Sequence, residues 1–258
     1  MLFSWLKRRR RRRILAQPLA SSWSEHLEGL PFFATLTPVE QAKLVADARI
    51  LVAEKSWEGC GGLEISEEVR VVIAAQAALL ILNLEHQYYR KTDAILVYPT
   101  TFVLPERHRQ SGVRGGASTP VLGLAQVGGP VVLAWDSARH GAEHAHDGRN
   151  VVLHEFAHKL DMLDQVADGT PPLGERSQYE AWVSIMTREF EKLNVDAKKG
   201  RRTLLDKYGA SEPAEFFAVA TECFFEKPRL LRDKHPDLYG LFQSYYRQDP
   251  AERPRTPR

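Results

Sequence analysis

Apolar positions crowd most densely between Ser66 and Glu85. Val69, Val71, Val72, Ile73, Ala74, Ala75, Ala77, Ala78, Leu79, Leu80 and Ile81 leave almost no polar face, and Ser66 can cap the start. The pattern predicts a buried helix from Glu67 to about Glu85. Upstream, Trp23, His26, Leu27 and Leu30 have helical spacing, and Pro31 interrupts them. Thr37-Pro38-Val39-Glu40 then opens a second helix through Leu44, Val45 and Ala48, with Thr37 as cap and Glu40 at the third position.

The rhythm then shortens. Ala94–Pro99 reads as a strand stopped by proline, Thr101–Leu104 as a short second one, and Val121–Val127 and Pro130–Trp135 as two more around a Gly128-Gly129 turn. Pro130 suits the start of an edge strand. The polar, glycine-bearing segment 106–120 reads as a mobile loop. Helical periodicity returns at Val152, Phe156, Leu160 and Leu163, which share one side of a helix that Asp147 or Asn150 can cap. Further helices are predicted over Tyr179–Leu193, from Ser211 or Glu212 to Glu226 before Lys227-Pro228, and over Asp237–Arg247. Short strands gathered before a run of helices give an α+β protein, mainly helical with a small mixed sheet.

The 258 residues are 43% apolar and 26% charged, an ordinary globular composition with enough chain for a large core. The net charge is +2, but Lys7 and Arg8 to Arg13 supply seven positive charges, so the remaining body is mildly acidic and unlike a nucleic-acid-binding domain. This run predicts an extended, disordered tail over residues 1–20, with weak contact to an anionic membrane, Phe3, Trp5 and Leu6 dipping in beside the basic residues 7–13, as its functional reading. Residues 249–258, rich in proline and charge, are predicted to be disordered as well. Cys60 and Cys223 form no framework, which fits a reducing compartment. No run is long enough to span a bilayer and the order of charge and apolar residues reverses that of a signal peptide, so the expected location is the cytoplasm.

The chemistry concentrates in Val151-Val152-Leu153-His154-Glu155-Phe156-Ala157-His158-Lys159-Leu160-Asp161. On a helix, His154 and His158 are one turn apart on the side opposite Val152, Phe156 and Leu160, so both imidazoles can face one metal ion. Such a pair suits Zn²⁺, and Glu155 is placed to take a proton from a zinc-bound water. Catalytic zinc keeps three protein ligands and one open position. Glu215, Glu222 and Glu226 share a later helix, and spacing alone does not choose among them. Asp161, one turn beyond His158, is a candidate to accept the other ring N–H of a ligand histidine. A second cluster, His140, His144 and His146, reads as a connecting segment that contributes at most one histidine behind a ligand.

His154-Glu155-Phe156-Ala157-His158-Lys159-Leu160-Asp161, with Pro213-Ala214-Glu215-Phe216-Phe217-Ala218 placing Glu215 61 residues after His154, resembles the Mlc titration factor A family of zinc peptidases. It is more distantly similar to the catalytic domain of anthrax lethal factor. The first resemblance covers roughly residues 20–250. It implies a zincin-like catalytic domain over 21–248, made of a helical and strand part (21–145) and a zinc-binding part (146–248). It implies one Zn²⁺ held by His154, His158 and Glu215, with Glu155 catalytic. The lethal-factor pattern adds a tyrosine seven residues before the glutamate, here Tyr208, as a hydrogen-bond donor to the oxyanion. The family further implies aminopeptidase-type activity on a peptide or protein substrate and a regulatory partner, an Mlc-like transcriptional repressor. The reading from another class is a non-catalytic regulator that sequesters such a partner and whose zinc site is structural or vestigial. The lack of a cysteine ligand and the presence of Glu155 favour the enzyme.

Overall fold

The structure is a computed structural model that describes residues 2–84, 89–101 and 122–254, with side chains from residue 5. Its elements in chain order are α1 (Leu2–Ala16), α2 (Ser21–Glu28), α3 (Pro38–Glu54), β1 (Ser56–Gly59), α4 (Glu67–Leu80), β2 (Ala94–Tyr98), β3 (Gly123–Ala125), β4 (Val131–Ala134), α5 (Trp135–Glu143), α6 (Val151–Asp161), α7 (Arg176–Lys198), α8 (Pro213–Glu226), α9 (Pro228–Lys234) and α10 (Pro236–Tyr246). The protein is therefore mainly helical with a small mixed sheet, as the sequence pattern predicts.

Local signals set the helix starts. Thr37 Oγ1 accepts from Glu40 N while the Glu40 side chain accepts from Thr37 N, a reciprocal cap at α3. Ser66 and Asn150 cap α4 and α6 through single side-chain bonds. Helix α4 is buried from Val71 to Leu80, and it packs against α3 on one side and α6 on the other. It ends at Leu80, short of the expected Glu85; residues 81–84 form turns, and Asn83 Nδ2 donates to Arg247 O. Around Trp182, Phe217, Phe224, Phe242 and Tyr246, helices α7, α8 and α10 build an aromatic core with ring centroids 5.7–6.0 Å apart.

The sheet order is β1-β2-β4-β3. The first three strands run parallel, with Trp57 opposite Ile95 and Ile95 opposite Val131. β3 closes the sheet antiparallel to β4, with Leu124 opposite Val132. This corrects the expectation that Pro130–Trp135 is the edge. β4 is paired on both sides, and Pro130 lies just before its first paired residue, so no ladder bond is lost. The free edge belongs to β3. The expected strand over Thr101–Leu104 and the loop 106–120 lie outside the described residues, apart from Thr101, which is not in a strand.

Both expected tails are corrected. Residues 2–16 form helix α1, docked on the C-terminal half of α3. Arg11 pairs with both carboxylate oxygens of Glu54 at 2.8 Å, and Arg49 donates to Ile14 O and Gln17 O, which offsets part of the self-repulsion of the arginines. Ala251 is buried, and Arg253 donates to Glu40 Oε1 and Gln248 Oε1, so residues 249–254 are packed against the body. Helix α9 was not anticipated; Pro228 at its first turn restarts a helix after the break at Lys227. None of the described helices is long and apolar enough to cross a membrane.

Candidate metal centre

Helix α6 presents its apolar side, Val152, Phe156 and Leu160, to the core at 0–1% exposure. His154 and His158 consequently face a cleft between α6 and α8, with rings 4.9 Å apart and nearly perpendicular. Their Nε2 atoms lie 3.3 Å from each other. Glu215, in the first turn of α8, brings Oε2 to 3.0 Å from His154 Nε2 and 3.4 Å from His158 Nε2. Each of the three thus offers one donor atom, all within 4.8 Å of one another, and no other such group occurs among the described residues. Two imidazoles and one carboxylate, with no thiolate, form a donor set of the kind catalytic zinc uses. The geometry fits a single metal ion between three donors.

The surroundings tune this cluster. His154 Nδ1 bonds Glu222 Oε1 at 2.7 Å, which leaves Nε2 directed at the cluster. The other oxygen of Glu222 accepts from Asn150 N, so one buried carboxylate fixes both a histidine and the start of its helix. Burial lowers the His154 pKa, but the charge of Glu222 and the bonds to Glu215 and Glu222 outweigh it and raise it well above the ordinary value. Burial raises the Glu215 carboxyl, yet the two histidines win and hold it far below the carboxylate range. Three carboxylates, Glu155, Glu215 and Glu222, crowd two imidazoles, an arrangement that a cation stabilises. Replacing Glu222 by Gln should weaken zinc binding about 10–100-fold, measurable by competition with a chromophoric chelator.

Glu155 is 5% exposed, and burial raises its pKa, helped by the charges of Glu215 and Glu222. It lies against the edge strand: a Cβ added at Gly123 would fall 2.4 Å from Glu155 Oε1 and 2.7 Å from Val151 Cγ2. Glycine there lets the strand approach the acid. Lys159 locks the same strand from behind. Its buried ammonium donates to Gln126 O at 2.6 Å and Gly129 O at 2.7 Å, and burial lowers its pKa to about 8. Tyr208 stands on the short 3₁₀ turn before α8, its ring 6.1 Å from that of His154. Desolvation, then Glu215 and Glu155, push its pKa up, so the hydroxyl keeps its proton.

The structure brings together every residue that the sequence singled out for chemistry: His154, Glu155, His158, Tyr208 and Glu215. It separates others. Asp161 does not hold a ligand histidine: its Oδ2 accepts from Gly169 N, while its Oδ1 and His158 Nδ1 are both buried without a partner. His140 and His144 stack on exposed α5, with His140 Nε2 3.2 Å from Asp147 Oδ2, away from the cluster. Sequence reasoning missed Asn150, whose amide donates to Gln76 Oε1 and Gly141 O in the core. A buried Gln76 inside an otherwise apolar helix was the available signal.

Glu226 anchors the loop before α6, accepting from Gly148 N at 2.7 Å and Arg149 N at 2.9 Å. Burial foremost, then Asp147 and Glu222, raise its pKa to about 8. The folded state therefore keeps a proton that the unfolded chain, near 4.5, has lost. Its contribution to stability is complete below about pH 4.5 and is lost as pH rises to about 8. Glu226→Gln keeps an acceptor oxygen and removes this dependence. Thermal melts should show the variant gaining on the wild type between pH 5 and 8, by up to a few kcal/mol.

The chain was compared with known proteins. The profile of the family described as glucose-regulated metallo-peptidase M90 matches residues 5–247. An uncharacterized protein of Synechocystis sp. is 38% identical over 250 residues, covering 93% of this chain and 89% of the relative. Mlc titration factor A of Edwardsiella ictaluri is 34% identical over 244 residues, covering 92% and 91%. Among solved structures, the Pro-Pro endopeptidase of Paenibacillus alvei aligns with 76% of this chain and 98% of its own, at 18% identity and a TM-score of 0.43.

Proposed function

The chain belongs to the glucose-regulated metallopeptidase family M90, and we propose that it hydrolyses peptide bonds at a zinc centre held by His154, His158 and Glu215. The observation that carries this reading is the convergence of those three donor atoms beside a buried glutamate on the same helix. When bound there, zinc supplies Lewis acidity, which makes water nucleophilic at neutral pH and polarises a carbonyl.

The chain's own groups do the rest. Glu155 accepts the proton of the attacking water and returns it to the leaving amine. The Tyr208 hydroxyl, held protonated, donates to the developing oxyanion. Glu222 orients the His154 ring. The free edge of β3, in contact with Glu155 through Gly123, pairs with the backbone of an extended substrate. The domain is zincin-like in this reading, with its cleft between β3, α6 and α8.

Two finer assignments rest on the family resemblance. The cleavage is aminopeptidase-type, and the regulatory partner is a transcriptional repressor of the Mlc type, a link supported by the name borne by relatives such as that of Edwardsiella ictaluri. The test is hydrolysis of alanine 4-nitroanilide beside its N-acetylated form and an internally quenched peptide. Chelator-sensitive cleavage confined to the free amine is expected. Equal cleavage of the blocked substrates overturns the aminopeptidase assignment. Stoichiometric zinc with no turnover of any peptide overturns the enzyme and favours a non-catalytic regulator.

A further inference from the structure

Seven consecutive cations in helix α1 play no part in the chemistry above. In α1 these residues divide by their orientation. Arg10 donates to Ala53 O at 3.1 Å, Arg11 binds Glu54 in a two-point pair, and Ile14 is half-buried against α3. These three mark the face that docks on the body. On the other side of the same helix lie Trp5, Leu6, Arg9, Arg12 and Arg13, with Arg8 at the flank. All six are exposed, Trp5 and Leu6 each at 47%. The Arg9 guanidinium sits 5.4 Å from the centre of the Trp5 ring. No hydrogen bond or ion pair to the protein occupies the Arg8, Arg9, Arg12 and Arg13 guanidinium groups among the described residues.

We propose that α1 is an interfacial anchor that seats the protein on an anionic membrane surface through this outer face. The chemistry of the occupant follows from the two residue types present. Guanidinium groups pair with lipid phosphates and carboxylates, and an exposed tryptophan prefers the headgroup level of a bilayer. A lone solvated charge run calls for neither Trp5 nor Leu6 on the cationic side. A nucleic acid is served less well, since the rest of the chain is mildly acidic and adds no basic surface to the helix. The Arg11–Glu54 pair fixes the helix to α3 instead of leaving it on a loose tether, so the body is held in one orientation relative to the lipid. The proposal does not depend on the peptidase reading.

The experiment is co-sedimentation of the full chain with vesicles of phosphatidylcholine alone and of phosphatidylcholine with phosphatidylserine, at about 0.1 M and about 1 M salt. Binding is expected to the serine-containing vesicles at low salt and to fall steeply at high salt. Joint replacement of Arg8, Arg9, Arg12 and Arg13 by Gln keeps the Arg10 and Arg11 contacts, and should lower partitioning on the order of 100-fold. Trp5→Ala should lower it several-fold with the charge unchanged. Hydrolysis of a soluble peptide should be the same in both variants. The proposal is overturned by equal binding to both vesicle types, by no binding, by binding indifferent to the four substitutions, or by tighter binding to an RNA oligonucleotide than to the anionic vesicles.

Discussion

Glu155→Gln is expected to lower peptide turnover by about 10²–10⁴-fold while zinc stays bound one to one. The side chain is buried and confined by Gly123, which leaves no room for it to swing away. Glutamine has the same shape and preserves that packing. It cannot accept the proton of an attacking water, and that is the function assigned to this position. His154, His158 and Glu215 are untouched, so metal content measured on the same preparation separates lost chemistry from lost metal. Turnover equal to wild type with zinc present would remove Glu155 from the mechanism.

Glu215→Ala should have the second large effect. It deletes the sole carboxylate donor of the cluster and leaves two imidazoles, which no longer complete a three-ligand site. Zinc affinity should fall by more than the ~10–100-fold expected for the outer partner Glu222. Hydrolysis should be undetectable at sub-stoichiometric metal. The helix itself should persist, because α8 is started by Pro213 and held by Phe216, Phe217 and Phe224 in the aromatic core. Circular dichroism of the metal-free variant checks the fold, and chelator competition checks the affinity. Retention of wild-type affinity would transfer the ligand role to another residue.

Much of this site could be read from the chain because its signals are local. The spacing of His154 and His158 and the apolar stripe of Val152, Phe156 and Leu160 sit within one helix, so periodicity alone orients the motif. The Thr37–Glu40 cap and the Ser66 cap are equally local. Non-local partners were less legible. Spacing placed Glu215, Glu222 and Glu226 on one helix but did not divide their roles, which depend on how α8 crosses α6. In the structure Glu215 joins the donor cluster, Glu222 holds His154 and Asn150, and Glu226 ties down Gly148 and Arg149.

Strand order was illegible for the same reason. Pro130 is compatible with an edge strand and also with an interior strand whose pairing starts one residue later, and only the sheet distinguishes them. The polyarginine segment misled in the opposite direction. Like charges predict an extended chain, but Glu54 and the carbonyls of α3 are 34 or more residues away and supply the compensating contacts.

The central claim is that one zinc ion, held by His154, His158 and Glu215, powers peptide hydrolysis. The most direct measurement is peptidase activity of metal-free protein as zinc is added back in increments. Activity should be absent at the start, rise in proportion to zinc and level off at one ion per chain. Hydrolysis that survives complete removal of metal, or that stays absent when one equivalent is bound, would contradict it.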